Sequence, residues 1–147
     1  MACHWSEPAG GPRAPRKNRK FYAADPFLFH LFHEAGKSWD PAFEFSRRRL
    51  RDAPLMGRLI EGMVAAEIRR RHGIPFLAYW SGAKEIDFIG NPCIEVKYQE
   101  HVSAAEFAWA EKVLPKGREM LVLTKKDRAV MGRVRLMPME EWLAEGK

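Results

Sequence analysis

Glu85-Ile86-Asp87-Phe88-Ile89-Gly90-Asn91-Pro92-Cys93-Ile94-Glu95-Val96-Lys97 contains two short runs rich in β-branched and aromatic residues, separated by Gly-Asn-Pro. That composition predicts two strands joined by a turn. Side chains alternate faces along a strand, so Ile86 and Phe88 are expected on one face with Ile94, Val96 and Tyr98. Glu85 and Asp87 then face the other way with Cys93, Glu95, Lys97 and Gln99. One sheet face is expected to be apolar, and the other to carry three carboxylates and an amine. Register decides whether those groups meet. A two-residue turn at Gly90-Asn91 pairs Asp87 with Ile94 and puts Asp87 and Glu95 on opposite faces. A three-residue loop, Gly90-Asn91-Pro92, pairs Ile89 with Cys93, Asp87 with Glu95 and Glu85 with Lys97. The longer loop keeps the apolar residues on a common face. It also keeps Pro92, which has no N–H to donate, out of the ladder.

In this register Asp87 and Glu95 are cross-strand neighbours with Cβ atoms roughly 4.5–5.5 Å apart. Like charges at that spacing repel. A hard divalent cation held by both carboxylates reverses the sign of the interaction, and Mg²⁺ suits an all-oxygen donor set. Mn²⁺ is the alternative ion. Lys97, two residues from Glu95 on the same face, is placed to orient or deprotonate an attacking water or to stabilise charge on a phosphate. The same pattern also suits a solvated hairpin face with a Glu85–Lys97 ion pair.

Upstream, residues 54–72 show the clearest helical period. Met56, Leu59, Ile60, Met63, Val64 and Ile68 fall on one broad face. Gly73 ends the run, and Arg69, Arg70 and Arg71 suit the helix C-terminus. Glu61 lies at the margin of the apolar face, and Glu67 is expected near its middle. A carboxylate there is costly unless paired or bound to metal. Either one is a candidate third carboxylate, with an arginine pair as the other explanation. Helical geometry alone does not choose between them.

The remaining strands are expected at 76–80, 120–124 and 134–137. A helix is expected at 103–114, capped by Ser103 and Glu106, and a short one at 140–143. Asp25-Pro26 resembles a helix start, with a helix to Gly36 that carries His30 and His33 as core or surface histidines. Residues 37–53, with Trp39, Phe43 and Phe45, are expected as an irregular connector. Its basic end, Arg47–Arg51, is either a phosphate-facing patch or a solvated turn. Residues 1–19, rich in Pro, Gly, Arg and Lys, are expected to be a disordered basic tail. Residues 20–147 are expected to form a single α/β domain.

The chain has 147 residues and a formal net charge of +6, with a sequence pI of about 9.5. Its length suits one hydrophobic core. The charge favours an anionic partner, with nucleic acid the leading candidate. Two cysteines, Cys3 and Cys93, make neither a disulfide framework nor a zinc quartet, which suggests a reducing, cytoplasmic setting. No apolar run approaches the roughly 20 residues needed to cross a bilayer, and no secretory h-region is present.

A helical Glu, a strand Asp and Glu-x-Lys on the next strand together resemble the PD-(D/E)XK nuclease superfamily, which includes restriction enzymes and archaeal Holliday-junction resolvases. The resemblance implies a restriction-endonuclease-like core of helix, three strands, helix and strand, with a mixed sheet flanked by helices. It also implies Mg²⁺-dependent DNA endonuclease chemistry. Asp87 and Glu95 would be metal ligands, Glu61 the helix carboxylate of the metal set, and Lys97 the catalytic lysine. A more detailed likeness runs over roughly residues 20–125. Phe21-Tyr22-Ala23-Ala24-Asp25, the stretch from Gly57 to Glu67, Tyr79-Trp80, and the two strands are similar in order to a domain found C-terminal to the ATPase module in many archaeal and bacterial AAA-type proteins. In that motif Gly57 and Glu61 stand four apart, which favours Glu61 over Glu67. Gly62 departs from the family's usual Asn, and no Gly-x-x-x-x-Gly-Lys-Ser/Thr loop is present. The likeness therefore implies a missing ATPase module or a separate ATPase partner. It also implies a possible homodimer, and the alternative of a non-catalytic domain that binds nucleic acid or protein.

Overall fold

The computed structural model describes residues 1–9, 17–23, 25, 27–28, 30 and 42–145. Among the described residues, eight strands are arranged in two four-stranded mixed sheets, with helices packed against them. The strands are β1 (Ala2–Trp5), β2 (Arg19–Phe21), β3 (Leu77–Ser81), β4 (Glu85–Ile86), β5 (Cys93–Lys97), β6 (Met120–Thr124), β7 (Ala129–Met131) and β8 (Val134–Pro138). The helices are α1 (Ala42–Arg49), α2 (Ala53–His72), α3 (Ala110–Val113) and α4 (Met139–Ala144), with a 3₁₀ turn at Ala104–Phe107. One sheet runs β2-β1-β3-β4 and the other β5-β6-β8-β7. A single antiparallel bridge, Phe88 to Ile94, joins them. Its pairing is that of the three-residue loop, with Phe88 N–H bonded to the Ile94 carbonyl at 2.9 Å and Ile94 N–H to the Phe88 carbonyl at 2.8 Å.

The sequence forms α2 for local reasons. The Asp52 carboxylate accepts the Leu55 N–H at 3.2 Å and caps the N-terminus. Gly73 closes the other end in the left-handed region at φ 60°, where a Cβ is unfavourable. Between the caps, Leu55, Leu59, Ile60, Val64, Ala65 and Ile68 are buried. Of these, Ile60, Val64, Ala65 and Ile68 meet Phe88, Ile94, Leu121 and Leu123 in a first core, which α4 joins through Met139 and Trp142. On the opposite sheet face, Ile86, Cys93, Met120, Val122, Val134 and Leu136 pack with Phe107 and Ala110 in a second core. β6 lies between parallel neighbours and is buried along its whole length, as expected for a central strand covered on both faces.

Several expectations change. The 1–19 tail contains a strand: Cys3, fully buried, lets β1 pair antiparallel with β2 and parallel with β3. Residues 10–16 lie outside the described residues. The connector at 37–53 contains α1, whose ends carry Glu44 and Arg47–Arg49 in the order that the helix dipole favours; Trp39 lies outside the described residues. The helix expected at 25–36 also lies largely outside them, although Phe27 N–H bonds the Asp25 carboxylate at 2.7 Å, as a capping Asp would. The 103–114 helix is split into the 3₁₀ turn and α3, with the Ser103–Glu106 capping box intact.

The apolar face expected of the strand pair is also divided. Ile86 joins the second core while Phe88 joins the first, because the backbone bends at Asp87. There the Asp87 N–H goes to the Glu95 carboxylate, and Asp87 in turn accepts the Val96 N–H. Side chains replace ladder bonds at this point, and the strict two-residue alternation is lost. β4 pairs instead with β3.

Candidate active site

The bend places Asp87 where α2, β2 and β5 converge. Asp87 is 6 % exposed and Glu95 3 %, so neither carboxylate lies on a solvated hairpin face. Every oxygen of this pair has a partner. Asp87 Oδ2 accepts the Val96 N–H at 2.9 Å, and Oδ1 takes the Lys20 ammonium at 2.8 Å. Glu95 Oε2 accepts the Asp87 N–H at 3.2 Å, and Oε1 pairs with Lys97 Nζ at 2.8 Å.

Glu61 reaches the same point from α2. Its Oε1 accepts Lys20 Nζ at 2.9 Å and the Tyr22 hydroxyl. Glu85 is the third carboxylate on the Lys20 ammonium. Glu61, Glu85 and Asp87 each offer an oxygen within 4.8 Å of the others. That all-oxygen set matches the donor chemistry of Mg²⁺ or Mn²⁺, and its ability to hold a cation is visible in the ammonium it already surrounds.

The sequence-derived residues are therefore distributed unevenly. Glu61 and Asp87 share one cation. Glu95 and Lys97 form the adjoining pair, with Glu95 tied to Asp87 through the backbone. Among the described residues the metal-compatible group contains Glu85 where the sequence reading has Glu95. The Glu85–Lys97 pair does not form: Glu85 takes Lys20, and Lys97 takes Glu95. Glu67 does not enter the site. It is held by Arg70 and Arg71 at 2.6 and 2.7 Å, and these hydrogen bonds, Arg70 first, lower its pKa to about 2.

Lys20 and Tyr22 were not expected here. Their signal in the sequence is the alternation Arg19-Lys20-Phe21, in which Arg19 and Phe21 face solvent and Lys20 faces inward. Inward-pointing charge is one way an edge strand resists pairing with other chains.

The electrostatics follow from burial and crowding. Burial, then the Asp87 charge, pushes Glu95 up to about 8 and raises Glu61 in the same way. Burial opposes the charge on Lys20, but Asp87 and Glu85 outweigh it and hold the pKa above the ordinary lysine value. Burial also opposes the charge on Lys97, which Glu95 outweighs in the same sense. A cavity of about 270 Å³, lined by Lys20, Phe21, Tyr22, Arg58, Glu61 and Met63, borders the cluster. Among the described residues no helix is long and apolar enough to cross a membrane. Comparison with known proteins finds no matching family model, no matching curated protein and no matching solved structure, so the functional reading is carried by the residues themselves.

Proposed function

We propose that this chain is a Mg²⁺- or Mn²⁺-dependent deoxyribonuclease that hydrolyses phosphodiester bonds within DNA, on a restriction-endonuclease-like core. The observation that carries the reading is the convergence of Glu61, Asp87, Glu95 and Lys97, from α2 and two consecutive strand segments, in one hydrogen-bonded network. In this proposal Glu61 and Asp87 hold the ion with Glu85, and Glu95 stands beside them through its bond to the Asp87 N–H. The ion supplies charge neutralisation on the phosphate and lowers the pKa of the attacking water. Lys97 has three N–H groups, of which Glu95 engages one. In this proposal the others hold a non-bridging phosphate oxygen as the water oxygen bonds to phosphorus and the bond from phosphorus to the sugar oxygen breaks; the water gives up one proton to solvent and the sugar oxygen gains one from it. The net charge of +6 favours approach of the DNA backbone.

The test is cleavage of linear and branched DNA in Mg²⁺. Lys97→Ala is expected to lose roughly 10²-fold or more in rate, the size typical of removing one preorganised charge-stabilising donor, with an unchanged circular dichroism spectrum. Cutting at the wild-type rate by folded Lys97→Ala protein would remove Lys97 from this role.

One observation favours a second reading. Lys20 already neutralises the carboxylates that an ion would use, as expected of a nuclease-derived domain that binds nucleic acid or a protein such as an ATPase without cutting. That reading predicts salt-sensitive DNA binding, or binding to a protein partner, with no metal-dependent product. Duplex cleavage by the first reading would call for two active sites, and a homodimer is the simplest way to supply them.

A further inference from the structure

We infer that Lys20 is a tethered competitor of the divalent cation: its ammonium and the ion occupy the same position, so metal enters only as Lys20 withdraws. The inference rests on the metal-binding part of the proposed function and concerns what controls that site. The three carboxylate oxygens lie within 4.8 Å of one another. An ion bound at roughly 2.0–2.1 Å from such oxygens would fall in the space where Lys20 Nζ now lies, 2.8 Å from Asp87 and 2.9 Å from Glu61. Two cations cannot share that space.

The withdrawal has a structural route. Lys20 is on a three-residue strand at the edge of its sheet, paired among the described residues only with β1. Its flexible four-carbon stem borders the cavity beside Glu61, which offers the ammonium room to swing aside. Glu61 keeps the Tyr22 hydroxyl as a partner during the exchange. Affinity for the ion is then the difference between two cations competing for one oxygen cage, and removal of the internal one should raise it.

The experiment is titration calorimetry with Mn²⁺ on the wild-type chain, Lys20→Gln and Lys20→Met, each checked for folding. Both variants are expected to bind Mn²⁺ at least about tenfold more tightly than wild type, since a like charge a few ångström away has been removed from a partly solvated site. Acetylation of wild-type lysines, followed by mass spectrometry, supplies a second readout that needs no variant. Lys20 should be protected in the metal-free protein and become reactive in step with Mn²⁺ occupancy, while exposed Lys116 stays constant. Equal affinities in all three proteins, or Lys20 still protected when metal is bound, would overturn the competitor role and leave the nuclease reading standing. Absence of Mn²⁺ binding in the wild type and in both folded variants would overturn both. Binding by the variants alone would support the inference in its strongest form.

Discussion

At the scale of single residues, Glu95 sets the most direct expectation. Its folded pKa of about 8 lies above the ordinary carboxylate value of 4.5, through burial and the facing Asp87 carboxylate. The folded state therefore holds a proton that the unfolded state releases. The stability from this group is fully present below about 4.5 and is lost as pH rises towards about 8. Glu61 is shifted with the same sign. In the absence of divalent metal, the urea midpoint should fall across that window, and Glu95→Gln should flatten much of the fall. A midpoint that rises with pH in the wild type would show that the Lys97 pair, not burial, governs Glu95. Glu67 has the opposite sign. Its pKa is lowered to about 2, so its contribution is present above 4.5 and disappears as acid approaches 2. Glu67→Gln should therefore weaken the protein at neutral pH and make little difference in strong acid.

At the scale of elements, α2 is held by signals that its own sequence carries. Asp52→Ala removes the side-chain bond to Leu55 N–H and is expected to cost about 0.5–2 kcal/mol in chemical denaturation. The fraying should stop at the first turn, more than a full turn short of Glu61, so Mn²⁺ affinity should not change. Local origin also explains which elements could be read in advance. The period of α2, the Ser103 capping box and the Gly90–Pro92 register depend on neighbours a few residues away, and the structure bears them out. β1 does not. Its place in the sheet comes from Leu77, Ala78 and Tyr79, more than seventy residues downstream, while its surroundings in sequence are polar. The same distance hid Lys20, whose partners Glu61, Glu85 and Asp87 are 41, 65 and 67 residues away. Asp87 and Glu95 were legible as neighbours because the loop fixes their pairing. The bend at Asp87 was not, because it arises when carboxylates take over backbone partners from the ladder.

At the scale of the whole molecule, β6 ties the two cores together. Leu123 faces the first core and Val122 the second, and both are at most 1 % exposed. Leu123→Ala should cost about 2–5 kcal/mol, measured as a shift in the urea midpoint with an unchanged slope. A local perturbation confined to one side would instead appear as a second transition. The mixed α/β architecture, with helices on both sheet faces, follows from strands that are apolar in both directions. Periodicity identified most of the strands, but it could not say that β4 would turn to β3 and leave only one bridge to β5.

The placement of the two thiols has a practical consequence. Cys3 and Cys93 are both fully buried and form no disulfide with each other, and they belong to different cores. Burial pushes the Cys3 thiol up to about 12, so it is inert until its surroundings open. Cys3 is on the strand next to Lys20, and Cys93 begins β5, the strand at the end of the other sheet. The rate at which each sulfur reacts with a maleimide therefore times a different opening event in the same chain. Mass spectrometry of the two peptides would act as a pair of independent clocks, one for the opening of each core.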